Sequence, residues 1–121
     1  MTVRQVLVVD DDPVQRYIAQ KQLKILGWDA QIASNGKEAV ALASQHQFDL
    51  ILMDVQMPIM DGLEATTKIR ESGSAIPIIA FTANPNKHLC FEAGMCDYLF
   101  KPVMISELKR VLHTWIPSST K

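Results

Sequence analysis

The chain contains 121 residues with a formal net charge of −1, and 48% of its residues are hydrophobic and 21% charged. These values are ordinary for one globular domain, which we predict to span residues 1–121 with a core at about 5–116. The sequence has no basic tract, no apolar run of roughly 20 residues and no signal-peptide core. Nucleic acid and membranes are therefore not expected as partners of this domain, and we predict a cytoplasmic location.

The two cysteines and three histidines do not indicate a metal or redox site. Cys90 and Cys96 fall on different predicted elements and lack a CxxC spacing, and the histidines are dispersed along the chain. We therefore predict reduced, structural thiols and no zinc site.

Strand and helix signals alternate from one end of the chain to the other. Short apolar or β-branched runs predict strands, and residues such as Asp12, followed by Pro13, and Asn35, with Glu38 three positions on, predict helix starts. The predicted strands cover residues 5–9, 28–33, 50–53, 76–81 and 98–100. The predicted helices run from Pro13 until Gly27 ends the first, from the residue after Asn35, and over residues 62–70, 87–93 and 105–115.

Such alternation with short connections is typical of an α/β fold. Parallel strands joined by right-handed crossover helices produce a doubly wound sheet with helices on both faces. We predict a five-stranded parallel sheet with five helices, in which the more polar second strand lies near an edge.

Charged and hydroxyl side chains follow four of the five predicted strands. Asp10 and Asp11 follow the first strand, Asp54 the third, Thr82 the fourth and Lys101 the fifth. Because the carboxyl ends of parallel strands share one edge, these groups are expected to converge there. Three crowded carboxylates repel one another unless a cation lies among them, and an all-oxygen donor set suits Mg²⁺.

The same group of side chains indicates a reaction type. A carboxylate nucleophile, a divalent metal, an ammonium and a hydroxyl together form a site for phosphoryl transfer onto an aspartate. Asp54 ends a run of four apolar residues and precedes a loop constrained by Pro58 and Gly62, and it is the predicted nucleophile.

Four segments of the sequence resemble one family. VLVVDDDPVQR, LILMDVQMPIMDG, IIAFTA and YLFKP, in this order and spacing, resemble the receiver domain of two-component response regulators. The resemblance implies a flavodoxin-like sheet with strand order 2-1-3-4-5. It also implies that Asp54 accepts a phosphoryl group from a phosphohistidine, and that Asp10, Asp11, Asp54 and the backbone carbonyl of Gln56 hold Mg²⁺.

The resemblance assigns roles to three further residues. It implies that Thr82 and Lys101 contact the phosphoryl oxygens and that Tyr98 is a switch residue, moving from a solvent-facing to a buried rotamer as Thr82 moves inward. It further implies a cis peptide bond between Lys101 and Pro102. Such a domain is a signalling module that catalyses its own phosphorylation and dephosphorylation. It belongs to a histidine kinase only if the given sequence has been excised from a hybrid kinase.

Two segments indicate a subtype. MDVQMPIMDGLEA and AGMCDYLFKP are most similar to receivers of hybrid sensor kinases and phosphorelays. The expected partners are a sensor histidine kinase, a histidine phosphotransfer domain or both, and we expect no output domain after Trp115 and a monomer or weak dimer. The partner is expected to dock mainly beside the first helix, near Val14, Gln15 and Ile18.

Two alternative functions remain open on the sequence. The segment DDDPV also fits the DxDx[TV] motif of haloacid-dehalogenase-type phosphatases, which would make Asp10 the nucleophile, although such enzymes need a larger core. A pseudo-receiver that only binds partners is the second alternative, and the complete acidic, threonine and lysine positions argue against it. We also predict that Arg70 lies on an ordinary solvated helix face. Met104 stands in place of a polar cap, so the last helix is expected to start with an unmet amide or from Ser106.

Overall fold

Five parallel strands and five helices alternate in the computed structural model, which describes residues 4–83 and 86–116. The strands are β1 Gln5–Val9, β2 Asp29–Ala33, β3 Leu50–Met53, β4 Ile78–Thr82 and β5 Asp97–Phe100. The helices are α1 Pro13–Ile25, α2 Gly36–Gln45, α3 Gly62–Glu71, α4 Lys87–Ala93 and α5 Ile105–Trp115. The strand order is β2-β1-β3-β4-β5, which confirms the predicted fold class and order. Within these residues every helix is too short or too polar to cross a bilayer.

Helices cover both faces of the sheet, which explains why β1, β3 and β4 are apolar runs without alternation. One face, including Val8 and Leu52, packs against α1 and α5. The other, including Val9 and Met53, packs against α2, α3 and α4. All residues of β3 and β4 are buried. The core is therefore divided by the sheet into two layers, and the strand ends open onto the two loop-bearing edges.

The predicted element boundaries are close to those of the structure. β4 begins at Ile78 and not at Ile76, because Pro77 has no N–H to donate to the ladder, although its carbonyl accepts from Ile51 N at 2.9 Å. Asp12 caps α1 through a hydrogen bond from Val14 N at 2.9 Å. The sequence also predicts loose ends at residues 1–4 and 117–121 and a break at residues 84–86. Of these residues the structure describes only Arg4 and Asn86, and the side chain of Asn86 caps α4 by accepting from Leu89 N at 3.2 Å. The other residues of these predictions lie outside the described residues.

The start of α5 distinguishes between the two alternatives for Met104. The helix begins at Ile105, and Met104 provides no side-chain hydrogen bond to its first turn. The start from Ser106 is therefore wrong, and the helix begins without a side-chain cap.

The helical spacing of apolar residues correctly predicted α1, but most of those residues are not the ones that the helix buries. Ala19 and Leu23 are the buried residues of this helix. Four other apolar side chains of this helix are 44–74% exposed, namely Val14, Tyr17, Ile18 and Ile25. Ala19 and Leu23 fill the space against the sheet, so these four side chains are left on the surface.

Arg70 is half-buried and makes specific contacts, so the prediction of a solvated arginine is wrong. Its Nε and Nη2 donate to the carbonyl of Gly94 at 3.1 and 2.9 Å, and its Nη1 donates to the carbonyl of Ser74 at 3.1 Å. Gly94 has a φ of 111°, and a Cβ there would lie 2.9 Å from Cγ of Arg70. The guanidinium thus ties the loop after α3 to the turn that ends α4.

Candidate functional site

Asp10 and Asp54 are brought side by side by the pairing of β1 with β3. Val9 is in register with Met53, and Asp54 N donates to the carbonyl of Val9 at 2.9 Å, so the two residues that follow these strands are neighbours. One carboxylate oxygen from each of Asp10, Asp11 and Asp54 lies within 4.8 Å of the other two. Asp10 and Asp54 are buried, whereas Asp11 is exposed.

Lys101 places a single ammonium among these carboxylates. Its Nζ forms an ion pair with Oδ2 of Asp10 and lies 3.4 Å from Oδ2 of Asp54. The backbone supports this position, because Lys101 N donates to the carbonyl of Thr82 at 3.0 Å. The peptide bond between Lys101 and Pro102 is cis, as the resemblance implies.

The charges at the site do not balance. Burial raises the pKa of the Asp54 carboxyl to about 6, the Lys101 ammonium opposes the rise, and the Asp10 carboxylate reinforces it. Three carboxylates face one ammonium, and hard oxygen donors of this kind suit Mg²⁺. The residues present therefore fit the predicted ion, and Gln56 lies on the exposed loop two residues beyond Asp54.

Arg16 is a residue of this region that the sequence did not reveal. Its Nη1 donates to the backbone carbonyl of Asp10 at 2.7 Å, and Oδ1 of Asp10 accepts from Asp12 N at 3.0 Å. Arg16 lies six positions after Asp10, one turn into α1, and this spacing is the only signal that could have pointed to it. These contacts fix the orientation of the buried Asp10.

Thr82 and Tyr98 lie on the same face of the sheet. Ala80 is in register with Tyr98 and Thr82 with Phe100, and side chains two residues apart on a strand share a face. Thr82 is buried at the end of β4. The hydroxyl and the aromatic ring proposed to move together are therefore on neighbouring strands and on one side of the sheet.

The ring of Tyr98 is half-buried in an aromatic cluster rather than freely facing solvent. It stacks on Phe100 with centroids 4.9 Å apart and meets Phe91 edge-on at 6.3 Å. Lys87 Nζ lies 4.3 Å from its centroid, within the range of a cation–π interaction. The sequence predicted Tyr98 but not these three neighbours.

Gly62 allows the chain to return closely past the backbone of Asp54. Its N–H donates to the carbonyl of Val55 at 2.8 Å, which closes the loop between β3 and α3. A Cβ at this position would fall on the carbonyl oxygen of Asp54 and lie 2.9 Å from Cγ of Met53. Only glycine fits without displacing the residues that carry the site.

We expect Gly62→Ala to lower the free energy of unfolding by about 1–3 kcal/mol or more, since the added methyl group meets backbone that cannot move freely. Urea denaturation measures the change. Gly73→Ala is the control, because a Cβ there meets nothing within 4 Å although its φ is 95°. A loss for Gly62→Ala no larger than that for Gly73→Ala would show that the close approach is unimportant.

Comparison with known proteins agrees with this geometry. Residues 6–113 match the family model described as the response regulator receiver domain. The chain belongs to the response regulator receiver domain family. This membership favours the receiver prediction over both the phosphatase and the pseudo-receiver alternatives.

Several relatives of this receiver domain are signalling proteins much longer than the chain. It is 42% identical over 114 residues to the hybrid signal transduction protein dokA of Dictyostelium discoideum. The matched region is 92% of this chain but 7% of dokA. The chain spans between 7 and 12% of the length of the curated relatives that it matches first. Besides dokA they include the sensor histidine kinase RcsC and the sensor protein EvgS of Escherichia coli, in agreement with the predicted subtype.

Two solved receiver structures are similar in fold and bear on the chemistry. The receiver domain of sensor histidine kinase PA1611 from Pseudomonas aeruginosa has a TM-score of 0.88 and a sequence identity of 40% to this chain. The match covers 96% of this chain and 99% of the PA1611 receiver domain. That structure holds a magnesium ion in its active-site cleft. The receiver domain of Ssk1 from Saccharomyces cerevisiae, in complex with the histidine phosphotransfer protein Ypd1, has a TM-score of 0.88 and 28% identity over 98% of this chain and 92% of that one.

Proposed function

We propose that this receiver domain accepts a phosphoryl group on Asp54 from a phosphohistidine of a sensor histidine kinase or a histidine phosphotransfer protein, and can pass it on within a phosphorelay. The observation that carries the proposal is the position of Asp54, a buried carboxylate with a raised pKa, beside Lys101 and two further carboxylates. Incubation with a panel of phosphorylated kinases and phosphotransfer proteins, followed by detection of an acyl phosphate on Asp54, tests it.

Asp54 is a better nucleophile than Asp10 in this arrangement. The Asp10 side chain is 1% exposed, and its two oxygens are engaged by Lys101 and by Asp12 N. The Asp54 side chain is 8% exposed. A phosphoryl donor can therefore approach Asp54 with less rearrangement.

The transfer step exchanges one bond to phosphorus for another. A carboxylate oxygen of Asp54 attacks the phosphorus, the bond from phosphorus to the donor imidazole nitrogen breaks, and the released imidazole takes up a proton. Lys101 is close enough to Asp54 to pair with the oxygens of the arriving group. Asp10, Asp11, Asp54 and the carbonyl of Gln56 would hold Mg²⁺, which would neutralise part of the phosphoryl charge.

The same residues account for phosphorylation by small donors and for later hydrolysis. Both reactions depend on positioning and charge neutralisation, which Lys101 and a Mg²⁺ ion held by the carboxylate cluster would supply without help from a partner. We therefore assign to this domain the catalysis of its own phosphorylation by acetyl phosphate and of its own dephosphorylation by water.

Thr82 and Tyr98 form the proposed switch. A phosphoryl group on Asp54 adds charge and acceptor oxygens, and the Thr82 hydroxyl moves toward them. Space is then opened on the face that Thr82 shares with Tyr98, and the half-buried ring moves further inward. Its departure from Phe100 and Lys87 alters the surface formed by α4 and β5.

We expect Tyr98→Ala to leave labelling by acetyl phosphate nearly unchanged while removing the response of α4 and β5 to phosphorylation. Hydrogen–deuterium exchange with and without beryllofluoride measures this response. Tyr17→Ala, which truncates an exposed tyrosine of α1, serves as the control. If Tyr98→Ala and wild type show the same change in exchange, Tyr98 is not the switch.

The exposed side of α1 forms the proposed docking surface for the phosphohistidine partner. Val14 and Ile18 are exposed at the end of α1 that follows the acidic loop. Nε2 of Gln22 donates to the carbonyl of Val103 at 2.9 Å and holds the loop after β5 against α1. Met104, which follows Val103, is 64% exposed, and we include it in the proposed docking surface.

We expect Ile18→Asp to slow phosphotransfer from a phosphohistidine protein by about 10-fold, because a desolvated charge replaces an apolar contact. Labelling by acetyl phosphate should not change, since this donor needs no docking surface. Ile32→Asp, which alters an exposed isoleucine on β2, is the matched control. Equal slowing with both donors would mean that the substitution damages the site, and docking on α1 would be abandoned.

A further inference from the structure

Ile59 has a backbone conformation that is unfavourable for its side chain. Its φ is 72°, and within the described residues it is the only residue other than glycine with a positive φ. A β-branched residue is especially disfavoured in this region because its Cβ substituents crowd the backbone. The side chain is 77% exposed, so burial does not offset the strain.

The loop between β3 and α3 imposes this conformation. Met60 N donates to the carbonyl of Pro58 at 2.8 Å, and the carbonyl of Met60 accepts from Gly36 N at 2.9 Å. The backbone on both sides of Ile59 is thus held by hydrogen bonds. Asparagine or glycine would occupy the position with less strain.

Ile59 lies on the opposite side of the acidic cluster from α1. The loop leaves the carboxyl end of β3 at Asp54 and leads to α3, which packs on the face of the sheet opposite α1. Exposed apolar side chains therefore lie on both sides of Asp54: Val14 and Ile18 on α1, and Ile59 on this loop.

We propose that Ile59 is a specificity-determining contact for the protein that carries the donor phosphohistidine, an inference that rests on the proposed function. Because only 8% of the Asp54 side chain is exposed, a histidine on a folded protein reaches it only if that protein presses onto the edge and covers both sides of the cluster. Covering Ile59 then removes apolar surface from water. The strain in the free protein is balanced by binding energy in the complex.

The test compares two substitutions that separate strain from contact. Ile59→Asn relieves the strain and removes the apolar side chain, whereas Ile59→Leu keeps an apolar side chain. We expect Ile59→Asn to raise the Tm by about 4 °C and to slow transfer from a phosphohistidine protein by about 10-fold. Ile59→Leu should transfer at close to the wild-type rate, and both variants should be labelled normally by acetyl phosphate.

The donor is whichever protein transfers fastest to the wild-type chain from a panel that includes phosphorylated Ypd1. Transfer to Ile59→Asn at the wild-type rate, or the same slowing in Ile59→Leu as in Ile59→Asn, would refute the proposed contact. A Tm of Ile59→Asn equal to or below that of wild type would refute the proposed strain. If acetyl phosphate labels the wild-type chain but no phosphorylated protein of the panel does, the inference about Ile59 is also refuted. If acetyl phosphate does not label Asp54 of the wild-type chain, the proposed function is refuted instead.

Discussion

Asp54→Asn should reduce labelling of the chain by acetyl phosphate to background while leaving the fold intact. The amide has nearly the shape of the carboxylate but is not a nucleophile, and Lys101 keeps its ion pair with Asp10. Intact-mass spectrometry measures the phosphoryl adduct, and circular dichroism checks the fold. Asp12→Asn is the matched control, because Asp12 caps α1 from an exposed position and asparagine caps equally well.

Labelling that survives in Asp54→Asn would contradict the assignment. The aspartate that binds beryllofluoride, a mimic of the phosphoryl group, in the wild-type chain then distinguishes a receiver from a phosphatase. Trapping on Asp54 is expected for a receiver, whereas trapping on Asp10 would revive the phosphatase alternative.

The stability of the metal-free protein should fall as the pH rises from about 4 to about 6. The Asp54 pKa is about 6 in the folded protein, above its ordinary value of 3.8, so the folded state holds the proton longer than the unfolded state. The contribution is fully present below pH 3.8 and is lost as the pH rises through the folded pKa. We expect a loss of about 2–3 kcal/mol in the free energy of unfolding.

Urea denaturation in a chelating buffer at several pH values measures this loss. Asp54→Asn should be more stable than wild type at pH 7 and equal to it near pH 4, because the neutral amide resembles the protonated acid. The same pH profile for both proteins would show that Asp54 is not destabilised by burial.

Addition of Mg²⁺ should restore stability at pH 7, since a ligand that binds only the folded state stabilises it. Asp11→Asn should require more Mg²⁺ for the same gain, whereas Asp12→Asn should behave as wild type. Equal Mg²⁺ dependence in all three proteins would argue against the carboxylate cluster as the metal site.

The fold and the composition of the site could be predicted because both follow from local patterns. Buried parallel strands are continuous apolar runs, and their carboxyl ends meet at one edge whatever the details of packing. Asp10, Asp54, Thr82 and Lys101 each follow such a run, so their convergence is a consequence of topology.

The remaining features depend on contacts that no local pattern encodes. The buried face of α1, formed by Ala19 and Leu23, is set by how the helix lies on the sheet, and not by the exposed apolar residues that gave the helical pattern. Arg70 meets Gly94 across 24 positions of sequence, and the ring of Tyr98 meets Lys87 and Phe100 only when α4 lies against β5. Spacing cannot reveal such pairs, because each partner alone is an ordinary surface residue.

The hydrogen bonds from Arg70 to Gly94 fix one end of α4 and, within the described residues, leave the other end without such an anchor, so we expect the helix to tilt about Gly94. The two hydrogen bonds to the Gly94 carbonyl hold the carboxyl end of the helix, while its amino end, at Asn86, lies on the edge of the sheet that carries Thr82. Seven helical residues span about 10 Å, so a tilt of about 10° about Gly94 displaces the amino end by about 2 Å. We therefore expect the displacement caused by the proposed movement of Thr82 to be largest at the amino end of α4, and we expect Arg70→Ala to spread it along the whole helix.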